Sequence, residues 1–349
     1  MRPFLTTLLL LGACVQEETN AASEPPAPVA ALVESAPVAV DQPTELGFTP
    51  MFVPKGGVQV FNGRPIFAAD WPALIKAQFT EVDPATNTPV GFNCTATIIG
   101  PRTLLTAAHC LDKGGAPASL RSASLTLQGF GIPMRCAIPA SYANATPKPG
   151  SVRTSADYAL CLLDADLGQL NAPGLRYERL NLNSIVAKGS NVAITGWGCT
   201  KAVFKPGGGF AHGEASPKPL AVGAPVDAPA GSPTEPNYLT TRSKLATGGA
   251  LCPGDSGGPL YRGPALVTAD YGVNGKAARE VVAVNSSIAA AWTSATQYDL
   301  VSRYSAVATP DFRAFLDAWI AARTKEDSAK QPPRICGKNL EGGKCAAAA

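Results

Sequence analysis

The stretch Leu251-Cys252-Pro253-Gly254-Asp255-Ser256-Gly257-Gly258-Pro259-Leu260 decides how the chain is read. A serine stands among three glycines, beside one carboxylate and close to one cysteine. Glycine permits bent backbone that other residues resist, so such a loop can bring main chain close to a reacting atom. Amides around the serine can then point at a developing negative charge, usually the largest contribution in acyl-transfer chemistry. The competing reading is a glycine-rich turn between strands. The choice depends on whether a base for Ser256 exists elsewhere.

The chain has two histidines. His109 closes the apolar, strand-like run Thr103-Leu104-Leu105-Thr106-Ala107-Ala108-His109-Cys110. A neutral imidazole there can take a hydroxyl proton near neutral pH and return it to a leaving amine. His212 lies in Gly207-Gly208-Gly209-Phe210-Ala211-His212-Gly213 and reads as part of a solvated loop. An imidazole base also needs an acceptor on its other nitrogen. Asp157 opens Asp157-Tyr158-Ala159-Leu160-Cys161-Leu162-Leu163, a carboxylate at the edge of an apolar strand.

Thr-Ala-Ala-His-Cys, then Asp-Tyr-Ala-Leu, then Gly-Asp-Ser-Gly-Gly-Pro-Leu resembles, in that order, the chymotrypsin/trypsin family of serine endopeptidases. The order His, Asp, Ser is the chymotrypsin one. The separations of 48 residues from His109 to Asp157 and 99 from there to Ser256 suit the family. Further matches between Val60 and Ile320 extend the resemblance over about three quarters of the chain. It implies an all-β fold of two six-stranded antiparallel β-barrels with a C-terminal α-helix. It implies peptide-bond hydrolysis through an acyl-enzyme, with Ser256 as nucleophile, His109 as base and then acid, and Asp157 orienting the imidazole. The amides of Gly254 and Ser256 would form the oxyanion hole. The alternatives are a catalytically inactive homologue that binds other molecules at the cell envelope, and a surface lipoprotein using the domain as a scaffold.

Composition sets the surroundings. The chain of 349 residues carries a net charge of only +3 and nine cysteines. No basic cluster suggests nucleic acid, and no stretch is long enough to span a membrane as a helix. The cysteines point to an oxidising compartment and lack the paired close spacings of a zinc site. Neither a metal nor an organic cofactor is implied; the partners expected are protein or peptide substrates.

Residues 1–14 form a short cationic start and a brief apolar run ending Leu11-Gly12-Ala13-Cys14. This resembles a bacterial lipoprotein signal with Cys14 as the lipidated residue, giving export and a membrane anchor in the cell envelope. An ordinary secretory signal with an incidental cysteine is the alternative. Removing Cys14 leaves eight cysteines, enough for four disulfides. Residues 15–59 are rich in Pro and Ala and read as an extended linker or pro-segment.

The protease-like domain is expected over 60–322, with barrels at about 60–175 and 176–305. Val60-Phe61-Asn62-Gly63 resembles the family's mature N-terminus, whose freed amine pairs with the aspartate before the serine; here the pair is Val60 and Asp255. Gln59 precedes Val60 where the family's familiar activation site has Arg or Lys, so the activating protease and the cut are both open. Strands are expected over 90–100, 102–107, 191–198, 259–269 and 280–286, with a long surface loop over 201–237. The family's disulfide beside the histidine maps to Cys94 and Cys110. Cys199 is a candidate partner for Cys252, Cys136 for Cys161, and Cys336 for Cys345 in a polar tail over 323–349, but sequence leaves the connectivity beyond Cys94 and Cys110 open.

A closing helix is expected over 310–321. Thr309 caps it, Pro310 suits its first turn, and Asp311 suits its dipole. Phe312, Phe315, Leu316, Trp319 and Ile320 make one buried face.

The position six before the serine, at the base of the family's specificity pocket, is Ala250. An apolar floor leaves a buried cation unpaired, so Lys and Arg are disfavoured. The wall should come from 284–288, including Ser286, with Ile288 narrowing the pocket. A preference for small or medium apolar side chains follows.

Overall fold

The computed structural model describes residues 33–34, 63–66, 71–82, 89–111, 123–127, 130–146, 152–169, 175–199, 202–205, 209–214, 216–244, 248–263, 279–294, 297–327, 331–342 and 344–345. Cys14, Gln59 and Val60 lie outside them. In chain order the strands are β1 (Val33–Glu34), β2 (Arg64–Pro65), β3 (Leu74–Val82), β4 (Pro89–Gly100), β5 (Thr103–Thr106), β6 (Ala123–Leu127), β7 (Phe130–Ile138) and β8 (Ala159–Leu163). They continue with β9 (Arg179–Leu180), β10 (Asn191–Gly196), β11 (Ala202–Lys205), β12 (Gly209–His212), β13 (Leu220–Ala228), β14 (Tyr238–Lys244), β15 (Pro259–Arg262), β16 (Glu280–Trp292) and β17 (Tyr298–Ala306). The helices are α1 (Ala140–Ala143) and α2 (Pro310–Glu326).

The first sheet runs β7-β8-β5-β4-β3, with β6 returning along β7 on the side that approaches β3. Its central strands β5 and β8 are buried at every residue, as expected of strands covered on both faces. The second sheet closes fully: β10-β15-β16-β17-β14-β13, with β13 returning to β10. Closure removes the edge strands that would otherwise be open to pairing. The molecule is therefore all-β, two six-stranded antiparallel barrels followed by a C-terminal helix.

Several stretches depart from the sequence-based expectation. Val33 and Glu34, read as linker, pair with Ile138 and Ala137 on β7. Strand β2, read with the first barrel, pairs with Leu220 and Ala221 of the second. The region read as a surface loop over 201–237 holds the hairpin β11–β12 and strand β13. Its Gly and Pro content hid the strand. Pro225 faces Asn191, the first residue of β10, just before the register shift that passes β13 on to β14. Proline is tolerated where a ladder ends or bulges. His212, read in a loop, ends β12 and is exposed. Strand β16 runs six residues past the expected 280–286, because β17 pairs with it as far as Trp292 opposite Tyr298.

Helix α2 begins at the expected cap, with Thr309 Oγ1 accepting from the Phe312 amide. Phe312, Phe315, Leu316 and Trp319 are buried, and Ile320 packs against the same core. The helix extends past 321 because its buried face continues through Arg323, whose guanidinium reaches Glu326 at 2.8 Å. Disulfides join Cys94 to Cys110, Cys136 to Cys161, Cys199 to Cys252 and Cys336 to Cys345.

Candidate active site

The run of small and apolar residues in β5 ends in a single 3-10 turn, Ala108–Cys110, which presents His109. The bond from Cys110 to Cys94 on β4 pins that turn. Strand β8 pairs with β5, with Ala159 opposite Thr106, so Asp157 falls beside the turn. Asp157 is fully buried. Its Oδ1 accepts from the His109 amide at 2.8 Å, and its Oδ2 lies 2.7 Å from His109 Nδ1. That acceptor places the proton on Nδ1 and leaves Nε2 as the basic nitrogen. The His109 side chain is 16% exposed, enough to meet a substrate.

A third donor reaches the same carboxylate. Ser286 Oγ donates to Asp157 Oδ2 at 2.6 Å. Tyr238 Oη lies 3.0 Å from Ser286 Oγ. Burial pushes the Tyr238 phenol well above its ordinary value, and the nearby Asp157 charge adds to this. The phenol therefore stays neutral. Ser286, expected in the wall of the specificity pocket, is also a partner of Asp157.

The loop that carries Ser256 is tied down by several contacts. The Cys199–Cys252 bond staples its start. Thr95 donates its amide to the Ser256 carbonyl at 2.7 Å and its hydroxyl to the Gly254 carbonyl at 2.8 Å. Gly257 has φ +81°, and a side chain there would overlap Thr106 Oγ1 and the Thr95 carbonyl. Only glycine allows the loop to approach β5 so closely. This approach brings Ser256 next to the end of the strand that carries His109. Asn285 Nδ2 donates to the carbonyls of Thr195 and Asp255, at 2.7 and 3.0 Å. Among the described residues, no protein acceptor takes the amides of Gly254 or Ser256.

Asp255 turns inward and is fully buried. Its oxygens accept from the amides of Gly198 (2.7 Å) and Cys252 (2.8 Å). Any side chain at Gly198 would overlap this carboxylate. Burial raises its pKa to about 7 despite the two amides. Its expected partner, Val60, lies outside the described residues.

Ala250 is buried against Tyr298 and Leu300, with Ile288, Ala290 and Phe204 packed around them. The Leu251 amide donates to Ser302 Oγ at 2.9 Å. Ala250 and Ile288, both expected at the specificity pocket, therefore sit in one apolar cluster. Cys94, His109 and Cys110 lie close together, but the two sulfurs are joined and offer no thiolate to a metal.

Thr95, Tyr238, Asn285 and Ser302 were not singled out from sequence. Thr95 adjoins Cys94, and Asn285 interrupts the apolar run Val281 to Val284; these are their only local signals. Tyr238 and Ser302 reach the site through barrel closure, which no short motif encodes.

Residues 60–293 match the family model described as Trypsin. Among solved structures, human heparin binding protein aligns at 18% identity over 74% of this chain and 96% of its own, with a TM-score of 0.42. An atomic-resolution structure of the protein abbreviated HBP aligns at 19% identity over 74% and 96%, with a TM-score of 0.41. A mutant of human heparin binding protein aligns at 18% over 74% and 95%, with a TM-score of 0.42. No curated protein matches the chain.

Proposed function

The chain belongs to the trypsin family, and on that premise we propose that it is a serine endopeptidase acting through His109, Asp157 and Ser256. Ser256 Oγ attacks a peptide carbonyl as His109 Nε2 takes its proton. Asp157 holds the imidazole and stabilises its cationic form. The free amides of Gly254 and Ser256 stabilise the oxyanion. His109 then passes the proton to the leaving amine, and water repeats the cycle on the acyl-enzyme. The observation that carries this reading is the pair of contacts from one buried carboxylate to one histidine, 2.8 Å to its amide and 2.7 Å to Nδ1.

The substrate side chain before the scissile bond is small or apolar. Ala250 at the floor and Ile288 beside it support this. The protein is made latent and is activated when cleavage frees the Val60 amine to pair with Asp255; the buried carboxylate without a cationic partner among the described residues supports this. It is exported, and anchored through lipid on Cys14. Four disulfides fit an oxidising compartment.

The test is hydrolysis of a peptide library by the protein as made and after limited proteolysis, beside Ser256→Ala. Turnover that requires Ser256 and rises after a cut before Val60 is expected. A folded, correctly cut protein that turns over nothing contradicts the endopeptidase reading and favours an inactive homologue.

A further inference from the structure

The hairpin β11–β12 plays no part in the chemistry above, yet its Phe204 packs against the buried cluster that holds Ala250. Phe204 on β11 meets Tyr298 edge-on, with ring centroids 5.7 Å apart and planes at 78°. The Phe204 amide also donates to Tyr298 Oη at 3.1 Å. Trp292 flanks the same tyrosine at 4.8 Å. Tyr298 is thus held by a ring edge, a hydrogen bond to its hydroxyl, and a second ring. It is buried in one apolar cluster with Ala250 and Leu300, against which Ile288 and Ala290 also pack. Ala250, the residue expected at the pocket floor, therefore packs in one cluster with a ring that the hairpin holds. Tyr298 is the first residue of β17. The neighbouring Val203 on β11 faces the other way and is 54% exposed.

We propose that the β11–β12 hairpin is a size gate on the primary pocket: Phe204 latches Tyr298 over the Ala250 floor and restricts cleavage to side chains of about alanine size. This rests on the endopeptidase reading and names its substrate class. Each methylene accommodated or excluded by an apolar pocket changes kcat/KM by roughly 10- to 200-fold. Freeing the volume behind a ring is therefore a large effect.

The experiment compares activated wild type, Phe204→Ala, Tyr298→Phe and Val203→Ala. Active sites are counted by a fluorophosphonate on Ser256, which needs no pocket occupancy. The ratio of kcat/KM for matched peptides carrying Leu or Ala before the scissile bond is then measured. Wild type should favour Ala. Phe204→Ala should raise the Leu-to-Ala ratio at least tenfold, Tyr298→Phe at least threefold, and Val203→Ala less than twofold. A labelled Phe204→Ala enzyme whose ratio rises less than tenfold overturns the gate. If Phe204→Ala does not fold, Tyr298→Phe decides by its own threshold. Wild type that takes no label fails the endopeptidase reading itself, and the gate with it.

Discussion

Two buried carboxylates, Asp157 and Asp255, meet opposite fates. Asp157 is surrounded by donors: the His109 amide, His109 Nδ1 and Ser286 Oγ. A hydrogen bond to a charged group contributes about 1.5–3 kcal/mol. Ser286→Ala should therefore lower kcat roughly ten- to hundredfold with KM little changed, measured on any peptide the activated protein cleaves. A rise in KM with kcat unchanged would instead place Ser286 in substrate binding alone. Asp255 has only two neutral amides against full burial, and its pKa stands at about 7 against an ordinary 3.8. A raised acid favours the folded state while protonated. Its contribution is complete below about pH 4 and is lost as pH rises to about 7. At 1.36 kcal/mol per pH unit, that interval is worth roughly 4 kcal/mol. Chemical denaturation of the uncut chain should show this decline, and Asp255→Asn should flatten it. An unchanged slope in the variant would remove Asp255 as its source. The contact of His109 with Asp157 could be anticipated because each sits inside a short motif, as Asp255 and Ser256 do. Thr95, Tyr238 and Asn285 could not, since their roles depend on strands far away in sequence.

Elements were legible where their periodicity was clean. The stripe of α2 from Phe312 to Trp319 predicts the helix, and Tyr158 receives it: the Tyr158 ring lies 4.9 Å from Phe312 and 5.4 Å from Phe315. The helix thereby packs beside Asp157. Its last turn was missed because Arg323, a cation, occupies the buried stripe. Strand β13 and the hairpin were missed for the opposite reason, their glycines and prolines resembling a loop. The tail over 331–345 was legible only as a disulfide. In the structure it joins the barrels from behind. The Cys336 amide donates to Ile99 on β4, and the Leu180 amide on β9 donates to Cys336. The Tyr177 amide donates to Lys344, and Gly337 lies so close to Leu180 that a side chain would overlap it. The disulfide closes a loop with a sequence separation of 9. Closing so short a loop contributes about 2–3 kcal/mol. Replacing Cys336 and Cys345 together by serine should lower stability by that amount, read as a thermal midpoint several degrees lower. An unchanged midpoint would mean that the backbone contacts hold the tail without the bond.

At the scale of the whole molecule, the proposed catalytic groups and Ser286, which supports Asp157, are divided between the barrels. His109 and Asp157 come from the first, Ser256 and Ser286 from the second, and one apolar core runs through both. That core includes Leu105 and Leu160 from one side and Tyr261, Val284 and Phe312 from the other. Beside it, Arg279 and Glu178 form a buried pair at 2.6 Å, with the guanidinium 3.5 Å above the Trp71 ring. Removing one member would leave a buried charge unpaired, so the pair fixes how the linker between the barrels sits. Two barrels and a closing helix could be anticipated because three motifs fell in family order. The hairpin insertion and the exchange of β2 into the second barrel could not, since they depend on which edge is free once the barrels close. The central claim is that this assembly makes Ser256 a nucleophile. The most direct measurement is intact-mass and peptide mapping after exposure to a fluorophosphonate, for protein cut before Val60, beside His109→Ala and Ser256→Ala. One adduct, mapped to Ser256 and absent from both variants, is the result expected. A folded, correctly cut protein with no adduct, or with the adduct on another residue, would contradict it.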